Sequence, residues 1–340
     1  MRIAILGCGA VTVRSHLPAL ARFQDVQVKV LVDINEGRAK ELAAGFGVPY
    51  AVPDYQRVID EFDAAIVALP HHLHAPAGIE LLRAGKHILM EKPMALTVAE
   101  CDALLEAAGQ GKVILNIGLV RRYLHAHRFV RQALQDGMLG DIRSFDIQEG
   151  CVYGWPVASD FFFRRDKAGG GVLMDTGAHV VDSLLWWLGD CTVEAYEDDA
   201  CGGVEADCRA LFKSKSGARG EMVLSRLRDL RNTAIIYGDK GSLEVSMLDN
   251  QVKVTTTGDK VEFFGTAGTK GTKEKGQNTM DLFVSQCNEW FKAIRGEPSE
   301  CVTGDEGRRS IALIESCYAK RRMVLQPWQT VGISRPEVDG

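Results

Sequence analysis

The run Arg2-Ile3-Ala4-Ile5-Leu6-Gly7-Cys8-Gly9 constrains this chain more than any other segment. Four apolar residues end at a glycine, a second glycine follows two positions on, and a helical stretch opens behind it. A strand buried on both faces reads this way. A Gly-x-Gly turn entering a helix N-terminus offers backbone N–H groups to a phosphate. Similar short apolar runs recur at Val28–Val32, Ala64–Leu69, His87–Met90 and Val113–Ile117. Between them lie amphipathic stretches. Pro76 to Gly85 reads as a helix with proline near its start and glycine after its end. Thr97-Val98-Ala99-Glu100 is a capping box that predicts a helix with Cys101, Leu104, Leu105 and Ala108 on one face, closing at Gly109. Strand–helix alternation of this kind predicts a parallel sheet with helices on both faces.

The pattern changes near residue 121. A helix is expected near His125–Gly137, then strands that alternate apolar and polar side chains, as in Val204–Ala210 and Leu243-Glu244-Val245-Ser246-Met247. The Gly238-Asp239-Lys240-Gly241 turn and Asp249-Asn250 mark reversals. Residues 265–278 carry Gly, Thr and Lys without periodicity and read as a loop. Two late helices follow, one with Phe283, Cys287, Trp290, Phe291 and Ile294 on one face, the other with Ile311, Ile314, Cys317 and Tyr318. At about 150 residues per domain, 340 residues fit two domains. The expected fold is α/β: a dinucleotide-binding domain over 1–121, then a substrate-binding and oligomerisation domain over 122–340 with a large open, mostly antiparallel sheet.

Composition removes several function classes. The 40 basic and 45 acidic residues leave a net charge of −5, which argues against nucleic acid and anionic membrane as partners. No apolar run approaches the roughly 18 residues of a spanning helix. Nine cysteines without a C-x-x-C pair read as reduced thiols, not a disulfide framework or a zinc ribbon. No basic, apolar, small-residue leader precedes the first strand, so a cytoplasmic location is expected. His71-His72-x-His74 lacks the spacing of a metal site and no metal is expected. No G-x-S-x-G elbow of a hydrolase is present.

Three groups of residues carry chemistry. Asp33 ends the second strand 24 residues after Gly9, where a carboxylate can take a ribose 2′-hydroxyl and repel a 2′-phosphate. NAD is therefore favoured over NADP, with nearby Arg38 the argument for NADP; the bland alternative for Asp33 is a helix cap. Lys92, in Glu91-Lys92-Pro93, follows a buried strand and faces the crevice where such sheets bind ligands; the Lys92–Pro93 bond is a candidate for the cis form. Gly169-Gly170-Gly171 leads to Asp175 and His179, one helical turn apart. A carboxylate beside an imidazole is expected to raise its pKa and orient it for proton transfer. Thr12, in the third position of the glycine fingerprint, departs from the small residue usual there.

Together, Gly7-x-Gly9, Asp33, Pro70-x-x-x-His74, Glu91-Lys92-Pro93 and Gly169-Gly170-Gly171 with Asp175-x-x-x-His179 resemble the Gfo/Idh/MocA oxidoreductases. The resemblance spans nearly the whole chain and includes the late helix Gly307–Val324. It implies an NAD(P)-dependent dehydrogenase or reductase that moves hydride between nicotinamide and a secondary alcohol or ketone of a sugar, nucleotide sugar or cyclitol. By resemblance, Lys92 and His179 are the acid/base pair, aided by Asp175. Gly7, Gly9, Ala10, Val11, Asp33, Arg38, Leu69, Pro70, His74, Glu91 and Lys92 would line the cofactor. Arg122, Tyr153, Trp155 and Arg165 are the candidate substrate contacts, since aromatic faces suit sugar C–H surfaces and arginines suit anions. A homodimer or homotetramer through the second sheet is implied. The alternatives are an NAD-retaining glycosidase or lyase of the same family, and a non-enzymatic NAD-binding regulatory module. His71 stands where many relatives carry Asn.

Overall fold

The computed structural model describes residues 1–154, 159–256, 262–266 and 277–324, of 262–266 the backbone alone. The first sheet forms from β1 (Arg2–Leu6), β2 (Gln27–Val32), β3 (Tyr50–Val52), β4 (Ala64–Val67), β5 (His87–Met90) and β6 (Leu115–Ile117). Its order is β3-β2-β1-β4-β5-β6, with every pair parallel. The five apolar runs are strands β1, β2, β4, β5 and β6; the sequence pattern did not flag the three-residue edge strand β3. The helices are α1 (Leu17–Leu20), α2 (Glu36–Phe46), α3 (His74–Arg83) and α4 (Val98–Gly111). The capping box at Thr97 and Glu100 is formed. The helix it opens runs past Gly109 to Gly111, and Lys112 takes the left-handed turn at φ 54°. The glycine that matters is Gly111, because a Cβ there would collide with the Leu82 carbonyl.

The second sheet follows α5 (His125–Gln135) and uses β7 (Ile142–Gly150). After the short α6 (Arg165–Ala168) and α7 (Thr176–Leu188) come β8 (Cys191–Asp198), β9 (Asp207–Ser214), β10 (Arg219–Ser225), β11 (Thr233–Gly238), β12 (Gly241–Ser246), β13 (Gln251–Thr256) and β14 (Glu262–Thr266). The chain closes with α8 (Thr279–Ile294), α9 (Gly304–Ala319) and β15 (Arg321–Met323). The order is β14-β13-β12-β11-β7-β10-β9-β8-β15. Pairs are antiparallel except β7–β10 and β8–β15. The strand expected from Val204 begins at Asp207, because Glu205 turns inward instead of outward and is fully buried. Of the loop expected over 265–278, Gly265 and Thr266 lie in β14, Asn278 caps α8, and residues 267–276 fall outside the described residues.

Period-two alternation splits the first sheet into two cores. Ile3, Ile5, Leu31, Ile66 and Leu89 pack with Leu17, Leu20, Cys287, Trp290 and Phe291. Ala4, Leu6, Val32, Val67 and Met90 face the other way, into a core shared with Phe145, Ile147, Phe212 and Leu224 of the second sheet and with α7 and α9. The two sheets part between Ile117 and Ile142, but the layers do not, since α8 returns to close one face of the first sheet. No helix among the described residues is long and apolar enough to cross a membrane.

Candidate functional site

Gly7 ends β1 at φ 97° with its N–H donating to Val32 O at 2.8 Å. A Cβ there would strike the Ala68 carbonyl, so only glycine fits. Around Gly9 nothing lies within 4 Å of where a Cβ would sit, which leaves the approach to the following helix open. Ala10 and Val11 start that helix, and Thr12 opens a π-helical turn over Thr12–His16. The departure at position 12 has a physical reason. Thr12 is fully buried and its hydroxyl donates to Gly7 O at 2.6 Å, tying the glycine turn to the helix.

Asp33 holds the same turn from the other side. Its Oδ2 accepts from Cys8 N at 2.9 Å and its Oδ1 from Asn35 N at 2.8 Å. Asn35, not Asp33, caps α2. Arg38 stands 3.7 Å from the Asp33 carboxylate, and Ile34 is 95% exposed on the rim beside it. An open glycine cradle, N–H groups at a helix start and a carboxylate at the end of β2 fit a dinucleotide.

Leu69 and Pro70 follow β4. Each ring nitrogen of buried His74 lies 2.8 Å from a backbone carbonyl, Nδ1 from Pro93 O and Nε2 from Leu69 O. His74 thus staples the loop after β4 to the loop after β5. Buried Glu91 takes His16 Nε2 at 2.7 Å, and the Lys92 N–H donates to its Oε2 at 3.2 Å. Burial pushes Glu91 up, but His16 and Lys92 outweigh it and hold the carboxyl below its usual range. The Lys92–Pro93 peptide is cis.

From the second sheet's side, the triple glycine has a steric explanation. A Cβ at Gly170 would collide with the Tyr318 hydroxyl, and one at Gly171 with the Glu205 backbone. Glu205 accepts from Gly171 N at 2.8 Å, Leu173 N at 3.1 Å and Tyr318 Oη at 2.8 Å. This clamp delivers Asp175 to the N-cap position of α7, yet its carboxylate caps nothing. Asp175 Oδ1 accepts from Lys92 Nζ at 2.6 Å and Oδ2 from Arg226 at 2.6 Å. Burial pushes this carboxyl up, but the Lys92 and Arg226 cations outweigh it and hold it well below the usual carboxylate range.

His179 lies one turn further along α7, its Nδ1 buried without a partner among the described residues. The expected rise in its pKa is overturned. Burial drives it well below 6.5, Arg121 and Lys92 add to that, and the opposing pull of Asp175 is outweighed. His179 is therefore a neutral imidazole at physiological pH, with one ring nitrogen free of a proton, and a weaker base than an exposed histidine. His71 also faces this site: its Nδ1 lies 3.0 Å from Ala168 O, its ring meets Phe161 and Phe162 edge-on, and burial lowers its pKa to about 3.

The four candidate substrate residues part company. Tyr153 lies in the site, its ring 4.7 Å beneath the Arg226 guanidinium. Trp155 lies outside the described residues. Arg165 is exposed at the start of α6. Arg122 is a correction: it is buried, with bonds to Asp182 at 2.6 and 2.9 Å and an ion pair with Glu306, so each of its three nitrogens is held by α7 or α9. Its neighbour Arg121 is the one that bears on His179, and it is gripped by both oxygens of Glu149 at 2.5 and 2.6 Å.

Sequence reasoning missed Arg226 and Glu149, and a signal for both existed. Arg226 shares the period-two face of buried Met222 and Leu224; Glu149 shares that of Phe145 and Ile147. A charged residue on the inward face of a half-buried strand needs a partner or a ligand.

A two-domain oxidoreductase with a dinucleotide-binding first sheet is the class that this fold and site define. Residues 1–119 match the oxidoreductase family with an NAD-binding Rossmann fold, and residues 127–244 match the GFO/IDH/MocA C-terminal domain. The chain belongs to this Gfo/Idh/MocA family of NAD(P)-dependent dehydrogenases and reductases. It is 29% identical, over 72% of this chain and 74% of the relative, to a dTDP-3,4-didehydro-2,6-dideoxy-alpha-D-glucose 3-reductase of Saccharopolyspora spinosa. It is 30% identical to the trans-1,2-dihydrobenzene-1,2-diol dehydrogenase of Mus musculus, over 74% of this chain and 75% of the relative. Among solved structures, a levoglucosan dehydrogenase in complex with NADH shares the fold with a TM-score of 0.83 at 22% identity, over 94% of this chain and 98% of that one.

Proposed function

We propose that the protein is a dehydrogenase or ketoreductase acting on a secondary alcohol or ketone of a sugar, nucleotide sugar or cyclitol, with Lys92 and His179 as the proton-transfer pair. The observation that carries this reading is the 2.6 Å bond between Lys92 Nζ and Asp175, which joins the end of β5 to the start of α7. Gly7, Gly9, Ala10, Val11 and Asp33 would hold the dinucleotide, with Arg38, Leu69, Pro70 and Glu91 along its path and His74 fixing the loops beside it. NAD is favoured over NADP by the Asp33 carboxylate.

The bound dinucleotide supplies the hydride acceptor or donor. This chain's residues supply the proton. A secondary alcohol loses hydride from carbon only as its O–H proton leaves. Neutral His179 takes that proton, and the Lys92 ammonium stabilises the developing oxygen charge, fixed by Asp175. In reverse, His179 first takes a proton from solvent and then returns it to the ketone oxygen, which the Lys92 ammonium holds. Tyr153 offers a ring face to sugar C–H groups. Copies are proposed to associate through the outward face of the second sheet.

The test is a panel of myo-inositol, levoglucosan, 1,5-anhydro-D-fructose and nucleotide sugars, followed by NADH absorbance and by product analysis. Net NADH change with at least one member is expected. Product formation without net NADH change would replace the proposal with a cofactor-retaining elimination. Tight NAD binding with no product from any member would replace it with a non-enzymatic sensor.

A further inference from the structure

Asp175 is where the two sheets meet, and Arg226 has no place in the proposed reaction. Arg226 follows β10, and its side chain is only 7% exposed. Its backbone is pinned on both sides: its N–H donates to Ala206 O at 2.7 Å, and its carbonyl accepts from Tyr153 N at 2.9 Å. One guanidinium nitrogen donates to Asp175 Oδ2 at 2.6 Å, and the group lies 4.7 Å above the Tyr153 ring. Its Nε and the Tyr153 hydroxyl are buried without partners among the described residues. Asp175 occupies the N-cap position of α7, where an aspartate ordinarily turns to accept from the helix N–H groups. Here it does not.

We propose that Arg226 is a positioning residue for Lys92: it draws one oxygen of Asp175 away from the start of α7, so that the other grips the Lys92 ammonium and aims it into the crevice. This rests on the reading of Lys92 as a proton-transfer group. A carboxylate is free to rotate about its Cβ–Cγ bond. Held by Lys92 alone, Asp175 would swing between that ammonium and the helix start. Arg226 removes the choice, and the Tyr153 ring beneath it extends the same constraint to the segment before residue 155.

The groups facing Asp175 are Lys92 from the end of β5, His71 from the turn after β4, His179 from α7, and Arg226 and Tyr153 from the second sheet. Burial pushes the carboxyl up, and Lys92 and Arg226 pull it down. Loss of Arg226 therefore moves its protonation to higher pH. Only the ionised carboxylate holds Lys92.

The experiment uses full-length protein carrying 13C-carboxyl aspartate, with Asp175→Asn to assign the signal, titrated without cofactor. In Arg226→Gln, and in Arg226→Met should the first variant fold poorly, the Asp175 midpoint rises by about one pH unit or more. In Arg226→Lys it stays within a few tenths. With NAD and an active member of the panel, the Gln and Met variants lose roughly 10- to 100-fold in kcat, while KM for NAD stays within about twofold. An Asp175 signal that titrates in these variants as in the native protein overturns the proposal. Unchanged kcat overturns it too. Failure of the underlying reading is distinguishable, since full turnover by Lys92→Ala would remove Lys92 from the reaction and leave the shift of Asp175 in the Arg226 variants standing.

Discussion

The two halves of the site are built on different scales. The first-sheet half is local: Gly7, Gly9 and Thr12 sit within six residues, and Thr12 completes the turn by reaching back to the Gly7 carbonyl. The second-sheet half is assembled over distance. Lys92 meets Asp175 across 83 residues, and Asp175 meets Arg226 across 51. A phosphate cradle needs only a turn and a helix start, which a short motif encodes. An oriented ammonium needs a carboxylate fixed from outside its own element, which only the tertiary fold supplies.

Adjacent arginines sharpen that comparison with the largest expected effect. Arg122→Met leaves Asp182 and Glu306 without their cation between α7 and α9, and breaking such a buried group costs about 3–5 kcal/mol. Denaturant unfolding should show that loss, while the folded fraction keeps its KM for substrate within about twofold. A selective rise in KM with native stability would return Arg122 to the substrate site. Arg121→Met should cost stability as well, because it strands buried Glu149, and it should also raise the pKa of His179, read as a shift of the acid limb of kcat that Arg122→Met does not produce.

A smaller effect probes the local half. Thr12→Val keeps the shape but leaves the Gly7 carbonyl without its hydroxyl donor, at a position that is itself fully buried. The expected cost is about 1 kcal/mol of stability with a modest weakening of NAD binding, read by thermal unfolding and by titration calorimetry. An unchanged protein would mean that the hydroxyl only fills space.

What the sequence made legible follows the same division. The strands β1, β2, β4 and β5 announced themselves by nearly all-apolar runs, and Gly7, Gly9, Asp33 and Lys92 could be placed by counting from strand ends. The edge strand β3 is three residues long, too short for a pattern. Glu205 breaks the alternation of its own segment because three donors from elsewhere in the fold capture it. Asp175 and its upward pull on His179 were legible, but the net direction was not. One carboxylate beside one imidazole predicts a raised pKa, whereas the burial and the two cations that reverse it come from the assembled site. Arg122 failed for a related reason: an arginine's partners are invisible until α7 and α9 are brought beside it.

The most direct test of the account compares chemistry with cofactor binding in Lys92→Ala. If the ammonium at the end of β5 serves proton transfer, turnover on an active sugar falls by about 10²-fold or more, while the Kd for NADH stays within a few-fold of the native value. Native turnover with weakened NADH binding would contradict it and make Lys92 a cofactor contact alone.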